Sequence, residues 1–272
     1  MWPLYLLFNK ILRAEEGQEE VGDAVVEFCP FEQSSRDVKC HFVQVPHINQ
    51  LFSWDCGLAC VLMVLRTIGI GNCNIQGLAD LCCSTSIWTV DLAYLLQKFS
   101  VRFSYFTVTF GVNPNYSVET FYKEQLPADL VRVDMLFQKA LGAGIDIQCR
   151  SVSGEELSCL LLSGKYIAIA LVDQYKLSQS RMDGVFASRF YGNNLGYTGH
   201  YVVICGYDAG ADEFEIRDPA SSRKHDRISS ECLEEARKSF GTDEDLLLIS
   251  LERSKKQNSS SISHAPHVNN DS

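Results

Sequence analysis

A helix without a polar face must be buried on every side, and this chain carries one early. After Asp55 the run from Cys56 to Arg66 sets Leu58, Ala59, Val61, Leu62, Val64 and Leu65 all round a helical cylinder. Such a helix is the centre of a core, and the rest of the chain has to cover it. Asp55 is a suitable N-cap. Cys56 then falls on the first turn, at the positive end of the helix macrodipole, where a thiolate is favoured. Taken alone, the cysteine is better explained as a small buried hydrophobe. A nucleophile needs a base, and that has to come from elsewhere in the chain.

The chain has 272 residues, 46% hydrophobic and 21% charged, enough to bury a large core in one large domain or two small ones. A net charge of -10 argues against nucleic acid or anionic lipid as the main partner. Eleven cysteines, an odd number with no Cys-x-x-Cys pair, fit reduced thiols in the cytoplasm, with the nucleus as a second setting. Residues 1–37 divide in two. Met1 to Phe8 is apolar for too short a run to span a bilayer, and Lys10 and Arg13 follow it rather than precede it, unlike a signal peptide. An amphipathic helix docked on the body is the better reading, with a weak interfacial anchor as the alternative. Glu15, Glu16, Glu19, Glu20 and Asp23 then make a solvated linker. The main domain covers 38–252, and the Ser/Asn-rich stretch 253–272 is a disordered tail.

Within the domain, residues 41–47 alternate like an edge strand and end at a proline-containing turn. Helices are expected over 74–81 with Asn74 as cap, over 90–99, over 117–125 and over 129–141. Strands are expected over 102–110 and 146–150. Ser153 opens a further helix that Gly164 closes, and 167–172 reads as a fully buried strand. Residues 174–196 read as a surface insertion. Helices dominate the first half and strands the second, so the fold class is α+β, with helices on one side of an antiparallel sheet.

The second half supplies the missing base. Residues 199–207 form a strong strand, Asp208 to Ala211 turn, and 213–218 return before Pro219. A turn centred on 209–210 pairs residues whose numbers sum to about 418–420, putting Asp218 opposite His200 or one position off. Opposed side chains lie roughly 4.5–5.5 Å apart at Cβ, close enough for the carboxylate to hold the imidazole. A thiolate, a histidine base and an orienting carboxylate are the parts of nucleophilic acyl transfer. Gln50 adds a side-chain N–H for a developing oxyanion, with the Cys56 backbone N–H as the second donor.

Gln50, Asp55-Cys56-Gly57, Gly199-His200-Tyr201 and Arg217-Asp218-Pro219 resemble, position by position, the papain-like bacteriocin-processing peptidases over roughly 43–250. That resemblance implies a papain-like fold in which Cys56, His200, Asp218 and Gln50 have the roles just given. The whole chain is also similar to the plant guanylyl cyclases and their animal relatives, the guanylyl cyclase domain-containing proteins. The residues that carry this include His47-Ile48-Asn49-Gln50, Ser53 to Cys60, Ser86 to Leu95 and Phe240 to Asp245. It implies conversion of GTP to cyclic GMP and pyrophosphate with Mg²⁺ or Mn²⁺.

The motif sought in plant cyclases would assign Ser53 to guanine, Trp54 to the aromatic place and Arg66 to the phosphates, although Asp55 departs from its third place. The metal ligands are unknown. As structure, Ser53 and Arg66 stand at opposite ends of one buried helix, roughly 20 Å apart. Asp243-Glu244-Asp245 reads as a solvated acidic turn, with weak metal binding as its alternative. Three function classes stay open. They are a cyclase acting on GTP, a cofactor-free thiol hydrolase or transferase acting on a peptide-like amide, and a silent binding module that kept the cleft.

Overall fold

The computed structural model describes residues 39–179 and 197–252. The expectations for 1–37, for 253–272 and for residues 180–196 of the insertion lie outside the described residues. The expected cysteine helix is α1 (Cys56–Thr67), and every residue from Cys56 to Leu65 is buried. Each fully buried leucine or valine of this kind stabilises by about 1.5–3 kcal/mol. Around it lie α2 (Ile75–Cys82), α3 (Thr89–Lys98), a short α4 (Thr120–Lys123) and α5 (Leu126–Ala140). Asn74 caps α2 by accepting from the Gly77 N–H at 2.8 Å. The helix expected over 117–125 is broken into a 3₁₀ turn at Pro114–Val118 followed by α4, and α5 begins with Pro127 in its first turn, where proline needs no N–H.

The strands are β1 (Cys40–Phe42), β2 (Phe103–Thr107), β3 (Ile147–Cys149), β4 (Tyr166–Asp173), β5 (Gly199–Asp208), β6 (Glu213–Arg217), β7 (Asp226–Ser229) and β8 (Leu246–Ser250). They form one eight-stranded sheet in the order β3-β2-β8-β4-β5-β6-β7, with β1 added on β5. All pairs are antiparallel except β2 with β3. Only His41 and Phe42 of the expected 41–47 strand fall in β1, which begins one residue earlier at Cys40, because Pro46 and the loop after it leave the sheet.

Both sheet faces are covered, which corrects the one-sided arrangement expected from sequence. On β4, Ile167, Ile169 and Leu171 join α1 in one core, while Ala168, Ala170 and Val172 join a second. That second core is covered by Leu157 and Leu161 of α6 (Gly154–Leu162) and by Leu233 and Ala236 of α8 (Ser230–Arg237). Strands buried on both faces read as continuous apolar runs, as β4 does. Between them, α7 (Gln174–Gln179) replaces the start of the expected insertion with a helix. Among the described residues no helix is long and apolar enough to cross a membrane.

The β5–β6 hairpin departs by one register step from the expected one. Pairs sum to 421 at the turn (Asp208 with Glu213) and to 420 beyond a bulge at Cys205 (Val203 with Arg217). Asp218, just past the end of β6, therefore sits diagonally from His200 rather than opposite it.

Candidate active site

The loop that delivers Cys56 is shaped by Asp55. Its side chain makes no N-cap bond, contrary to the sequence expectation. Instead the fully buried carboxylate accepts the backbone N–H of Leu51 at 3.1 Å and of Phe52 at 3.0 Å, folding the loop back on itself. The Asp55 carbonyl accepts from Ala59 and so starts α1. Cys56 is the first helical residue and only 6% exposed. Its N–H belongs to the first turn, which no helical carbonyl reaches.

His200 comes from β5. Its Nε2 lies 2.8 Å from Asp218 Oδ1, and both side chains are buried. Asp218 Oδ1 also accepts the Ala220 N–H at 2.8 Å, which fixes the carboxylate against its own backbone. The Cys56 thiol is the other side-chain partner of the imidazole. With Nε2 engaged by Asp218, Nδ1 is the nitrogen left for sulfur. Burial is the largest influence on His200 and lowers its pKa. The hydrogen bonds to Asp218 and Cys56, with the charges of both, outweigh it and raise the value from 6.5 to about 9. Next to Cys56 an imidazolium is thus the favoured form, the neighbour a thiolate requires. One turn along α1, burial and the charges of Cys56 and Asp218 push the Cys60 thiol up, so it stays neutral.

The two halves are stitched together. His47 Nε2 donates to the Asp218 carbonyl at 3.0 Å, Gln50 N–H donates to the Pro219 carbonyl at 3.0 Å, and Asn49 Nδ2 donates to the Pro219 and Ser221 carbonyls. Arg217, 1% exposed, reaches from Nε to the Val45 carbonyl at 2.9 Å. The residues before Cys56 and those around Asp218 therefore form one ladder of contacts.

Above this ladder opens a cleft of about 410 Å³, within the roughly 300–1,000 Å³ typical of small-molecule sites. Gln50, Ser53 and Trp54 line it with Cys56 and His200. Gln50 Nε2 donates to the Phe52 carbonyl at 2.7 Å, so one of its two amide N–H groups is already engaged, and its Oε1 is buried without a partner. Trp88, Phe121 and Tyr122 form an aromatic wall that the sequence did not reveal as a unit, since no linear spacing links them. Trp88 is held by its Nε1 on Asp129 Oδ2 (3.0 Å) and its N–H on Asp91 Oδ2 (2.9 Å), with Arg132 bridging both carboxylates. Burial raises the Asp91 pKa against the pull of Arg132. Tyr201 closes the floor through a 2.9 Å bond to Thr89.

Arg66 is not part of this cleft. Its guanidinium donates to the Gly71 and Cys73 carbonyls at the far end of α1. The structure thus brings Ser53 and Trp54 to the cleft and leaves Arg66 outside it. The turn at Asp243-Glu244-Asp245 is only partly solvated, with Asp243 and Glu244 half-buried. Asp245 is buried beneath Tyr105, and burial, then the charge of Asp243, raises its pKa well above the carboxylate range. Among the described residues no group of three His, Cys, Asp or Glu side chains is placed to hold a metal ion, and no described cleft residue is a carboxylate. A resident divalent cation does not fit these side chains.

Residues 45–249 match the family model described as guanylylate cyclase. This chain belongs to the guanylylate cyclase family. Guanylyl cyclase 1 of Arabidopsis thaliana is 62% identical, over 95% of this chain and 99% of the relative. Among solved structures, a C39-like peptidase from Bacillus anthracis is similar at 16% identity and a TM-score of 0.46, covering 78% of this chain and 97% of that one. The peptidase domain of Streptococcus ComA, a bifunctional ABC transporter of a quorum-sensing pathway, is similar at 14% identity and a TM-score of 0.39, covering 76% and 98%. The resemblance to the cyclase family read from sequence therefore recurs in the family match and in the Arabidopsis relative.

Proposed function

We propose that this protein is a guanylyl cyclase, converting GTP to cyclic GMP and pyrophosphate, with Mg²⁺ or Mn²⁺ brought in on the phosphates of the nucleotide, since no described side-chain cluster would hold it. The observation that carries this reading is the 62% identity to the Arabidopsis Guanylyl cyclase 1 across nearly all of both chains. The cleft beside Ser53 and Trp54 is the place for the nucleotide, with Trp54 as the stacking surface for guanine. The ten described cysteines are all free, which supports a reducing compartment such as the cytoplasm.

A second reading is favoured by one specific observation, the engagement of His200 by Asp218 at 2.8 Å on one side and by Cys56 on the other. In it the Cys56 thiolate attacks the carbonyl carbon of a peptide-like amide. A C–S bond forms, and the carbonyl π pair moves to oxygen. The Cys56 N–H and the remaining amide N–H of Gln50 face that oxyanion. Collapse breaks the C–N bond, and His200 gives its proton to the departing amine. Water, deprotonated by His200, then cleaves the thioester and restores the thiol.

One experiment separates the two. Homogeneous wild type, Cys56→Ala and Arg66→Ala are incubated with GTP and Mg²⁺ or Mn²⁺, and cyclic GMP is identified by mass spectrometry. Turnover that persists without Cys56 establishes the cyclase and sinks the thiol mechanism. If Arg66→Ala is as active as wild type, the phosphate role of Arg66 falls. No turnover in any of the three removes the cyclase reading and leaves amide chemistry or a silent binding module.

A further inference from the structure

Apart from His200 and Cys56 themselves, the described lining of the cleft is neutral. Its described lining holds no lysine, arginine, aspartate or glutamate, and its large surfaces are Trp54, Trp88, Phe121, Tyr122, Leu171 and Tyr201. Between them stand neutral amides, those of Gln50, Gln125 and Gln174. Apolar walls with a few placed polar groups are the usual design for a neutral ligand.

Two details say more about the occupant. Gln50 lines the cleft and gives one amide N–H to the Phe52 carbonyl at 2.7 Å, which leaves its second N–H for the carbonyl oxygen of a neutral ligand. Phe121, 48% exposed, stands edge-on to Tyr122 and to Tyr197, with ring centroids 5.0 and 5.6 Å away. It presents a ring at the lip of the cleft whose backing is fixed, because Tyr122 donates its hydroxyl to the Gly241 carbonyl at 2.7 Å. A wall already held in place needs no ordering when a ring packs on it.

We infer that the cleft selects a neutral acyl group carrying an aromatic or large apolar side chain. This inference rests on the thiol reading of the site and names the substrate class for it.

The test uses three peptidyl vinyl sulfones that differ only in the side chain next to the reactive group: Phe, Lys or Asp. The Cys56 sulfur adds to the β-carbon and a proton to the α-carbon, so labelling is read by intact mass and localised by peptide mapping. Chloroacetamide, small and neutral, gives the thiol's own reactivity. In a second arm that needs no thiol, tryptophan fluorescence of Cys56→Ser protein follows binding of N-acetylphenylalanine methylamide, N-acetylaspartate methylamide and GTP.

The expected result is that the Phe probe labels Cys56 at least tenfold faster than the Asp probe, and that Phe121→Ala narrows this ratio severalfold. The phenylalanine amide should also bind more tightly than either anion. Equal rates across the three probes, or tighter binding of GTP than of the phenylalanine amide, overturns the inference even where chloroacetamide labels Cys56. If chloroacetamide does not label Cys56 faster than the exposed cysteines, the thiol reading fails. In that case the fluorescence arm alone decides whether the cleft prefers neutral aromatic ligands.

Discussion

His47 donates from Nε2 to the main-chain oxygen of Asp218 at 3.0 Å, so the segment leading into Cys56 hangs from the residue that orients His200. His47 touches neither the thiol nor the imidazole in this arrangement. Its contribution is positional. We predict that His47→Ala lowers Cys56 alkylation severalfold at neutral pH while reducing global stability by only about 1 kcal/mol. The check pairs the alkylation rate with a urea unfolding curve. An unchanged rate with an unchanged pH profile would show that the neighbouring Asn49 and Gln50 contacts hold the loop unaided.

The protonation of His200 links the site to stability. Its folded value of about 9 lies above the ordinary 6.5, so between these two the native state binds a proton that the unfolded chain releases. Stability from this group is complete below about pH 6.5 and is lost as pH rises through about 9, by up to on the order of 3 kcal/mol. Asp218→Asn, which removes a charged partner, should flatten this fall. Unfolding midpoints at pH 6 to 10 for wild type and Asp218→Asn test it, and identical slopes would refute it.

Asp55 is a buried carboxylate whose partners include the N–H groups of Leu51 and Phe52. Asp55→Ala leaves those donors without their acceptor and should cost about 2–4 kcal/mol, with each orphaned group contributing roughly 1–3 kcal/mol. Because the same loop carries Gln50, Cys56 alkylation should fall as well. Calorimetry with alkylation kinetics is the measurement, and a stable, fully reactive variant would contradict the clasp.

Gly57 lets α1 approach β5. A Cβ there would stand 3.0 Å from Leu92 Cδ1 and 3.0 Å from Tyr201 Cδ2. Both neighbours are buried, so Gly57→Ala should destabilise by about 1–3 kcal/mol through overpacking. It should also slow thiol labelling, since the displaced helix carries Cys56 away from His200. Wild-type stability in this variant would mean that Leu92 gives way freely.

The core was legible because its patterns are local. The all-apolar face of α1 and the run of β4 declare burial residue by residue, and Asn74 and Ser153 behave as the caps their positions suggest. What stayed hidden depends on pairing. A bulge at Cys205 has no sequence mark, yet it returns the pairing from a sum of 421 to 420 and so brings Asp218 to its diagonal place beside His200. Asp55 looked like a cap, yet its carboxylate turned to the N–H groups behind it. The helix opened by Ser153 was visible, but which sheet face it covers is settled only by strand order, and the mostly polar α8 carried no signal that set it apart. Phe121 and Tyr122 reach the cleft from a stretch whose helical pattern is weak, and only the tertiary packing reveals it.

The sheet is completed from its middle. β8, made of Leu246–Ser250, lies between β2 and β4, so strands laid down early cannot close on each other until the last strand arrives. During synthesis the wholly apolar α1 is therefore complete long before its covering sheet exists. The thiol it carries has neither His200 nor Asp218 beside it through most of translation. Full activation of Cys56 thus requires the chain to have been made at least as far as Asp218. A chain arrested before residue 218 would expose sticky surface and carry an unactivated thiol, which makes it a substrate for chaperones rather than a partly working enzyme.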